Sequence, residues 1–446
     1  MRYFTVSGRN WPSRAALELL RTHFSGRCML PNLLTIKWIG APQGQLEPTL
    51  PLIISPILTV FRLAYALHES PSASEVVFSL EALAPAYNSL IDIHISNSVT
   101  HDPRIVDAAS TLLLKCNPDR IRHFRMDSVL PTGAFIHATQ LPNLESFAIR
   151  IDTAELDISL PTSTFPSLRR LEINATNADS PFLQSITHIQ SRNMNSLDLT
   201  FPAATPEMFL PRMLAALRPR GLHQTLTRLT IAPWGDFDLD MATICPLLSL
   251  NQLTLLEVMV HCSLDGCPYK LSDENLEELV KAMPKLEILC LGPVPCFHPA
   301  NNTIRSLVCI AKHCKNLTEL SIHINSEAII TEVLQGDDWR ADFALEDPLS
   351  AFVGCPICEI VFGPCFIPND EQGATILAFT LLRLFPRLDT ALVIPLVNER
   401  DPQWDLVQDV IAAYRRACVN IASVGEFMRL LSCMKFAHVL QLAVWK

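Results

Sequence analysis

The phrase Pro-x-Leu-x-x-φ-x-φ, where φ is apolar, recurs along this chain and limits its fold more than any other feature. It stands six times. It reads Pro31-Asn-Leu33 with Ile36 and Trp38, Pro56-Ile-Leu58 with Phe61 and Leu63, and Pro142-Asn-Leu144 with Phe147 and Ile149. It returns as Pro166-Ser-Leu168 with Leu171 and Ile173, Pro284-Lys-Leu286 with Leu289 and Leu291, and Pro386-Arg-Leu388 with Ala391 and Val393. Without the proline, the apolar part recurs at Leu90/Ile93/Ile95, Ile121/Phe124/Met126, Met194/Leu197/Leu199 and Leu226/Leu229/Ile231. Further copies are Leu253/Leu256/Val258, Leu317/Leu320/Ile322, Ile357/Ile360/Phe362 and Val439/Leu442/Val444. Fourteen copies across 446 residues point to a repeat array, in which each unit packs only on its neighbours.

The last two apolar positions of each phrase alternate as on a strand, so both enter one core and the residue between them faces out. Proline disfavours helix in the residue ahead of it and removes an N–H, so it separates the preceding helix from the strand. Helix-like stretches lie between the strands: Arg14–Phe24, Ser74–Leu83, Asp102–Cys116, Pro206–Leu217, Asp273–Met283, Thr303–Cys314 and Glu371–Phe385. Ser272 is placed to cap the fifth of them. Copies spaced roughly 23 residues apart or more match or exceed the leucine-rich-repeat length. The expectation is an α/β leucine-rich-repeat solenoid with irregular repeats, its curved parallel sheet concave and its helices convex. Residues 1–30 would form an N-terminal helical cap and 31–446 about 13 to 14 repeats. The Asn or Cys that commonly follows the strand by three residues is mostly missing; Asn325 is the good match.

Composition narrows the classes. A chain of 446 residues is too long for one core, and 49% hydrophobic with 18% charged residues leaves ample surface to bury. Gly is scarce at 14 residues against 33 Pro, which disfavours phosphate loops and tight hairpins. A net charge of −10 favours neither nucleic acid nor an anionic membrane as partner. The run Pro48–Phe61 contains Pro51 and Pro56 and falls short of the ~20 apolar residues of a spanning helix. No signal peptide is evident in Met1–Asn10, so the 14 cysteines read as free thiols and the expected location is cytoplasmic or nuclear. The sequons at Asn174, Asn301 and Asn316 then read as chance matches.

Chemistry is sought next. Cys355-Pro-Ile-Cys358 with Cys365 resembles half a zinc knuckle, but zinc takes four ligands and no second pair stands near. Cys290, Cys296 and His298, and Cys309, His313 and Cys314, are looser clusters read the same way. GxGxxG, GxxxxGK[ST], HExxH and GxSxG are absent. No catalytic residue, cofactor or metal is expected, and the chain reads as a non-enzyme. The residue between the two strand apolar positions runs Lys37, Arg62, His94, Arg125, Ala148, Glu172, Asp198, Thr230, Glu257, Cys290, Ser321, Val361, Leu392, Ala443. Of these, Lys37, Arg62, His94, Arg125, Glu172, Asp198 and Glu257 are the candidate partner-binding residues of the concave face. The basic ones would form a positive zone and the acidic ones a negative zone. Glu172→Ala, at a solvent-facing site, is expected to cost within ~0.5 kcal/mol.

The phrases "MLPNLLTIKW", "IISPILTVFRL", "LPNLESFAI", "FPSLRRLEI" and "MPKLEILCLG" resemble the leucine-rich-repeat regions of fungal F-box proteins, notably the expanded sets of mushroom-forming fungi. That resemblance covers nearly the whole chain and implies the substrate-recognition region of a cullin-type ubiquitin-ligase receptor. A ligase adaptor would join only through an F-box, and no Leu-Pro-x-Glu-like phrase opens the first 30 residues. The expected function is a protein–protein interaction scaffold with a protein partner on the concave face. The alternatives are a stand-alone leucine-rich-repeat regulator without a ubiquitin link and an enzyme with a site at 355–365.

Overall fold

The structure is a computed structural model. It describes residues 2–419 apart from 8–13, 25–26, 42–45, 66–71, 97–101, 152–163, 176–188, 190, 205–211, 214–223, 235–237, 261, 263–265, 294–297, 299, 336–355, 363–370, 386 and 394–401. The expected last strand copy (Val439, Leu442, Ala443, Val444) lies outside the described residues, as does the helix Pro206–Leu217 apart from Arg212 and Met213. The chain divides into two compact units, before and after Thr227, with residues 210–215 grouped in the second.

The first unit contains β1 (Tyr3–Ser7), α1 (Arg14–Phe24), β2 (Thr35–Ala41), α2 (Leu46–Ile53), β3 (Val60–Tyr65), α3 (Ala73–Ala82) and β4 (Asp92–Ser96). It continues with α4 (Pro103–Lys115), β5 (His123–Val129), α5 (Thr132–Thr139), β6 (Ser146–Ile151), β7 (Arg170–Ala175) and β8 (Ser196–Ala204). The second contains β9 (Arg228–Trp234), β10 (Leu255–Val260), α6 (Asp273–Ala282), β11 (Ile288–Pro293), α7 (Ile304–His313) and β12 (Glu319–Ile322). After these come α8 (Ser326–Gln335), β13 (Glu359–Phe362), α9 (Glu371–Leu384), β14 (Thr390–Val393) and α10 (Pro402–Val419). Within each unit every strand pairs in parallel with the next in chain order. This is an α/β, leucine-rich-repeat-like solenoid architecture.

The register follows the repeated phrase. Ile36 lies opposite Phe61, Phe61 opposite Ile93, Phe147 opposite Leu171 and Leu289 opposite Leu320. The leading residues Leu33, Leu58, Leu90, Leu168, Leu286 and Leu317 are all 0% exposed. Proline has a sharper role than strand separation. In Leu30–Leu33, Ser55–Leu58, Phe165–Leu168 and Met283–Leu286 the leucine N–H donates back to the first carbonyl at 3.0–3.4 Å. These are β-turns with proline at the second position, where its fixed φ is already correct.

After each turn comes a shared acceptor. The N–H groups of Thr59 and Val60 both donate to the Leu34 carbonyl, and those of Ile91 and Asp92 to Thr59, at 2.8–3.1 Å. The rung repeats with Arg122/His123 on Ile91, Glu145/Ser146 on Arg122, Arg169/Arg170 on Glu145 and Asn195/Ser196 on Arg169. In the second unit Thr254/Leu255 donate to Thr227, Glu287/Ile288 to Thr254, Thr318/Glu319 to Glu287 and Cys358/Glu359 to Thr318. Side chains add a third donor at several rungs: the hydroxyls of Thr59, Thr254 and Thr318, at 2.9–3.2 Å.

At the opposite strand end asparagines are sparse. Asn325 instead caps α8, its Oδ1 accepting from the Ala328 N–H at 2.9 Å. The buried bridging role falls to Asn302, whose amide donates to the Tyr269 hydroxyl at 2.6 Å and the His323 carbonyl at 2.9 Å.

Helix starts follow local chemistry. Ser272 and Asn275 form a capping box on α6, and Asp102 caps α4 ahead of Pro103. Sequence reading misses α2, with Pro51 inside it, and α5, α8 and α10. Within the stretch 1–30, expected as a helical cap, Tyr3–Ser7 form a strand that pairs with β2, followed by α1. Among the described residues no helix is long and apolar enough to cross a membrane.

Leu171→Ala and Leu289→Ala, each removing a side chain 0% exposed, should lower the urea-unfolding free energy by ~2–5 kcal/mol. Thr254→Val and Thr318→Val keep the shape but delete the third donor of a rung. Each should cost about 0.5–1 kcal/mol in the same measurement, because the carbonyl keeps its two N–H donors.

Candidate partner-binding face

The side chains between the strand apolar positions occupy one row per unit. In the first unit Lys37, Arg62, His94, Arg125, Ala148, Glu172 and Asp198 are successive register partners. In the second the row runs Thr230, Glu257, Cys290, Ser321, Val361. Leu392 continues it by backbone register, and Ala443 lies outside the described residues. Lys37 and Arg62 are exposed, and His94, Arg125, Glu172, Asp198, Thr230, Glu257, Cys290, Ser321 and Val361 are half-buried, so among the described residues no helix covers this face. The structure thus brings six of the seven candidate residues onto adjacent strands of one unit and places Glu257 in the other.

Ala148 departs from the expected outward position, being only 6% exposed. Its neighbours close over it. Arg125 on β5 reaches past Ala148 on β6 to Glu172 on β7, with Nη1 donating to Oε2 at 2.9 Å and Nη2 lying 2.8 Å from Oε1. Two strand spacings amount to ~10 Å. Only a long side chain crossing a small one makes that fork-to-fork contact.

The first-unit charges do not form the expected separate zones. Arg62 is held by Asp92 on the neighbouring strand, its Nη2 2.5 Å and its Nε 3.1 Å from Oδ2. Arg125 is held by Glu172, which also accepts from Arg170 at 3.2 Å. Asp127, 4.0 Å from the Arg125 Nε, accepts from the Ser96 hydroxyl at 2.6 Å. Positive and negative groups therefore interleave, and their fields cancel at short range. Lys37 stands without an ion pair among the described residues. Asp92, Asp127 and Arg170 belong to the face and were missed. The signal was available: positions two before and two after the middle residue share its face by strand alternation.

His94 sits between the two arginines of its row. Burial is the largest influence and lowers its pKa below 6.5; Arg125 and Arg62 lower it further, and Asp127 and Asp92 oppose them. In the second unit Glu257 accepts a hydrogen bond from the Thr230 hydroxyl at 3.2 Å.

The cysteines of these clusters are described only in part. Cys358 occupies a rung of the shared-carbonyl ladder, its Sγ 3.4 Å from the Thr318 carbonyl, while Cys355, Cys365 and Cys296 lie outside the described residues. Burial pushes the Cys116, Cys290 and Cys309 thiols up to about 12, which keeps them protonated and poorly nucleophilic at neutral pH. Among the described residues no three His, Cys, Asp or Glu side chains are grouped to hold a metal ion. No protein-family model matches this chain, and a search of curated proteins finds no significant match.

Two outcomes follow from this geometry. A double-mutant cycle of Arg125→Ala with Glu172→Ala should give a coupling of about 0.5–1 kcal/mol, shrinking in high salt. Glu172→Ala alone then exceeds the small cost expected of a free solvent-facing residue. For His94, the unfolded chain binds a proton near 6.5 and the folded chain only at lower pH. Stability is therefore lost as pH falls below 6.5 and levels off beneath the folded value. The difference in thermal midpoint between wild type and His94→Gln should shift against the wild type between pH 7.5 and 5.

Proposed function

We propose that this chain is a non-catalytic protein-interaction scaffold that receives a protein partner on the strand face its helices leave bare. The observation that carries this reading is a row of mostly polar, mostly half-buried or exposed side chains in each unit, held in register on a parallel sheet. Such a surface offers polar groups at ~4.8 Å intervals across the strands, which suits recognition of an extended or folded protein surface better than enclosure of a small molecule. The finer reading, a substrate-recognition region of an F-box-type ubiquitin-ligase receptor, rests on the resemblance of the repeat phrases. It requires an F-box encoded in frame upstream, and co-purification of a ligase adaptor with that longer product would test it.

The scaffold reading is tested by placing a photo-crosslinking amino acid at Lys37 or Ser321 on the bare face, and at Glu81 or Glu278 on exposed helix positions. Discrete protein adducts should form from the first pair of sites and not from the second. Identical adducts from both pairs would overturn it.

A further inference from the structure

In the second unit the described part of the bare strand face carries more carboxylates than cations: Arg228, exposed on β9 two residues before Thr230, is its basic residue and stands beside Glu257, not beside the pair that follows. Glu319 on β12 and Glu359 on β13 are direct register partners, and both are exposed. Glu257 on β10 lies in the middle row, two strands away. Adjacent parallel strands are ~4.8 Å apart, so like charges placed opposite each other repel well inside one Debye length. Among the described residues none of the three forms an ion pair; the Thr230 hydroxyl is the partner of Glu257. The first unit differs, because its face carboxylates Asp92 and Glu172 are each held by an arginine.

Cys290 reports the same field from between them, for after burial itself the largest influences raising its thiol are Glu257, Glu319 and Glu359. Met259, two residues beyond Glu257 and so on the same face, is 39% exposed and adds an apolar contact point. The carboxylates are not grouped as metal ligands. An uncompensated like-charge pair is a standing cost to the fold, and a cationic protein segment laid across the strands would relieve it.

Resting on the reading of the bare strands as a protein-binding face, we propose that the second unit binds a basic, partly apolar segment of a partner protein. Its lysine or arginine side chains meet Glu257, Glu319 and Glu359, and an apolar side chain meets Met259. The geometry sets the spacing. Two strand intervals across and two residues along separate Glu257 from Glu319 by about 12 Å, or three to four residues of extended chain. The segment therefore carries basic residues three or four apart.

The probe is a fluorescently labelled peptide with two arginines so spaced and a leucine between them, titrated by anisotropy against the full chain. Glu257→Gln/Glu319→Gln/Glu359→Gln should weaken binding about tenfold or more, as loss of complementary charge predicts. Glu278→Gln/Asp405→Asn/Asp409→Asn, on exposed helix positions of the same unit, changes net charge equally and should leave affinity within about twofold. Equal weakening by both sets would reduce the effect to overall charge and overturn the inference, as would no weakening by the first. The face variant should also melt at or above the wild-type temperature, since repulsion between Glu319 and Glu359 is gone. A lower midpoint would mean that these carboxylates serve the fold. If the peptide fails while adducts still form at Ser321, the basic-segment inference falls and the scaffold reading stands.

Discussion

The structure depends on one backbone arrangement: a carbonyl at the start of each strand that accepts two N–H groups from the next repeat. The shared acceptor fixes where each strand begins relative to its neighbour. Once that is set, the alternation of a strand decides everything along it, because a shift of one residue would exchange the buried and bare faces. Leu171 is 0% exposed and Glu172 is ion-paired on the bare face because Arg169 and Arg170 are anchored on Glu145. The proline turn just before the rung delivers the chain at the correct angle. The threonine hydroxyls that join some rungs reinforce the same oxygen rather than opening a new contact.

Anchoring at the strand start explains why the repeats tolerate unequal length. What lies between one strand and the next turn is free to differ, provided the chain returns to the carbonyl of its neighbour. Repeats with a full helix, such as the one containing α4, and the repeat in which a single turn at Met241–Ile244 is followed by a 3-10 helix over Cys245–Ser249 meet the same ladder. The core between helices and sheet then fills with whatever apolar side chains each helix offers. In the first unit the rings of Phe124, Phe135, Phe147 and Phe165 meet at centroid distances of 5.5–6.3 Å.

The register of the described strands was legible in the sequence because burial repeats with the same phrase. Trp38, Leu63, Ile95 and Met126 are one residue type to the sheet, apolar at the last strand position, and periodicity finds them regardless of identity. Three things were not legible. β1 has its polar and apolar residues in strand order, Phe4 and Val6 between Tyr3, Thr5 and Ser7, but lacks the leucine and the proline that mark the other strands. Helix α2 carries a proline that ordinarily argues against helix, and its packing between α1 and α3 is not written in its own residues. The bare face was read as a list of charges, and lists do not show reach. That Arg125 crosses Ala148 to Glu172, and that Arg62 is claimed by Asp92, follows from side-chain length set against strand spacing, which no one-dimensional pattern contains.

The ladder also settles how each unit would respond to force. Its rungs lie one repeat apart along the chain, and each consists of two or three hydrogen bonds to a single oxygen. Tension applied at an end therefore loads the outermost rung first, not all of them together. Such a unit behaves as a zipper in peeling geometry: it yields at modest load, one repeat at a time, and each step frees roughly 25–30 residues, about 90 Å of extended chain. Reversal is equally stepwise, because the next carbonyl is still in place to receive the returning strand. A sheet of this kind is a compliant element with a built-in ruler.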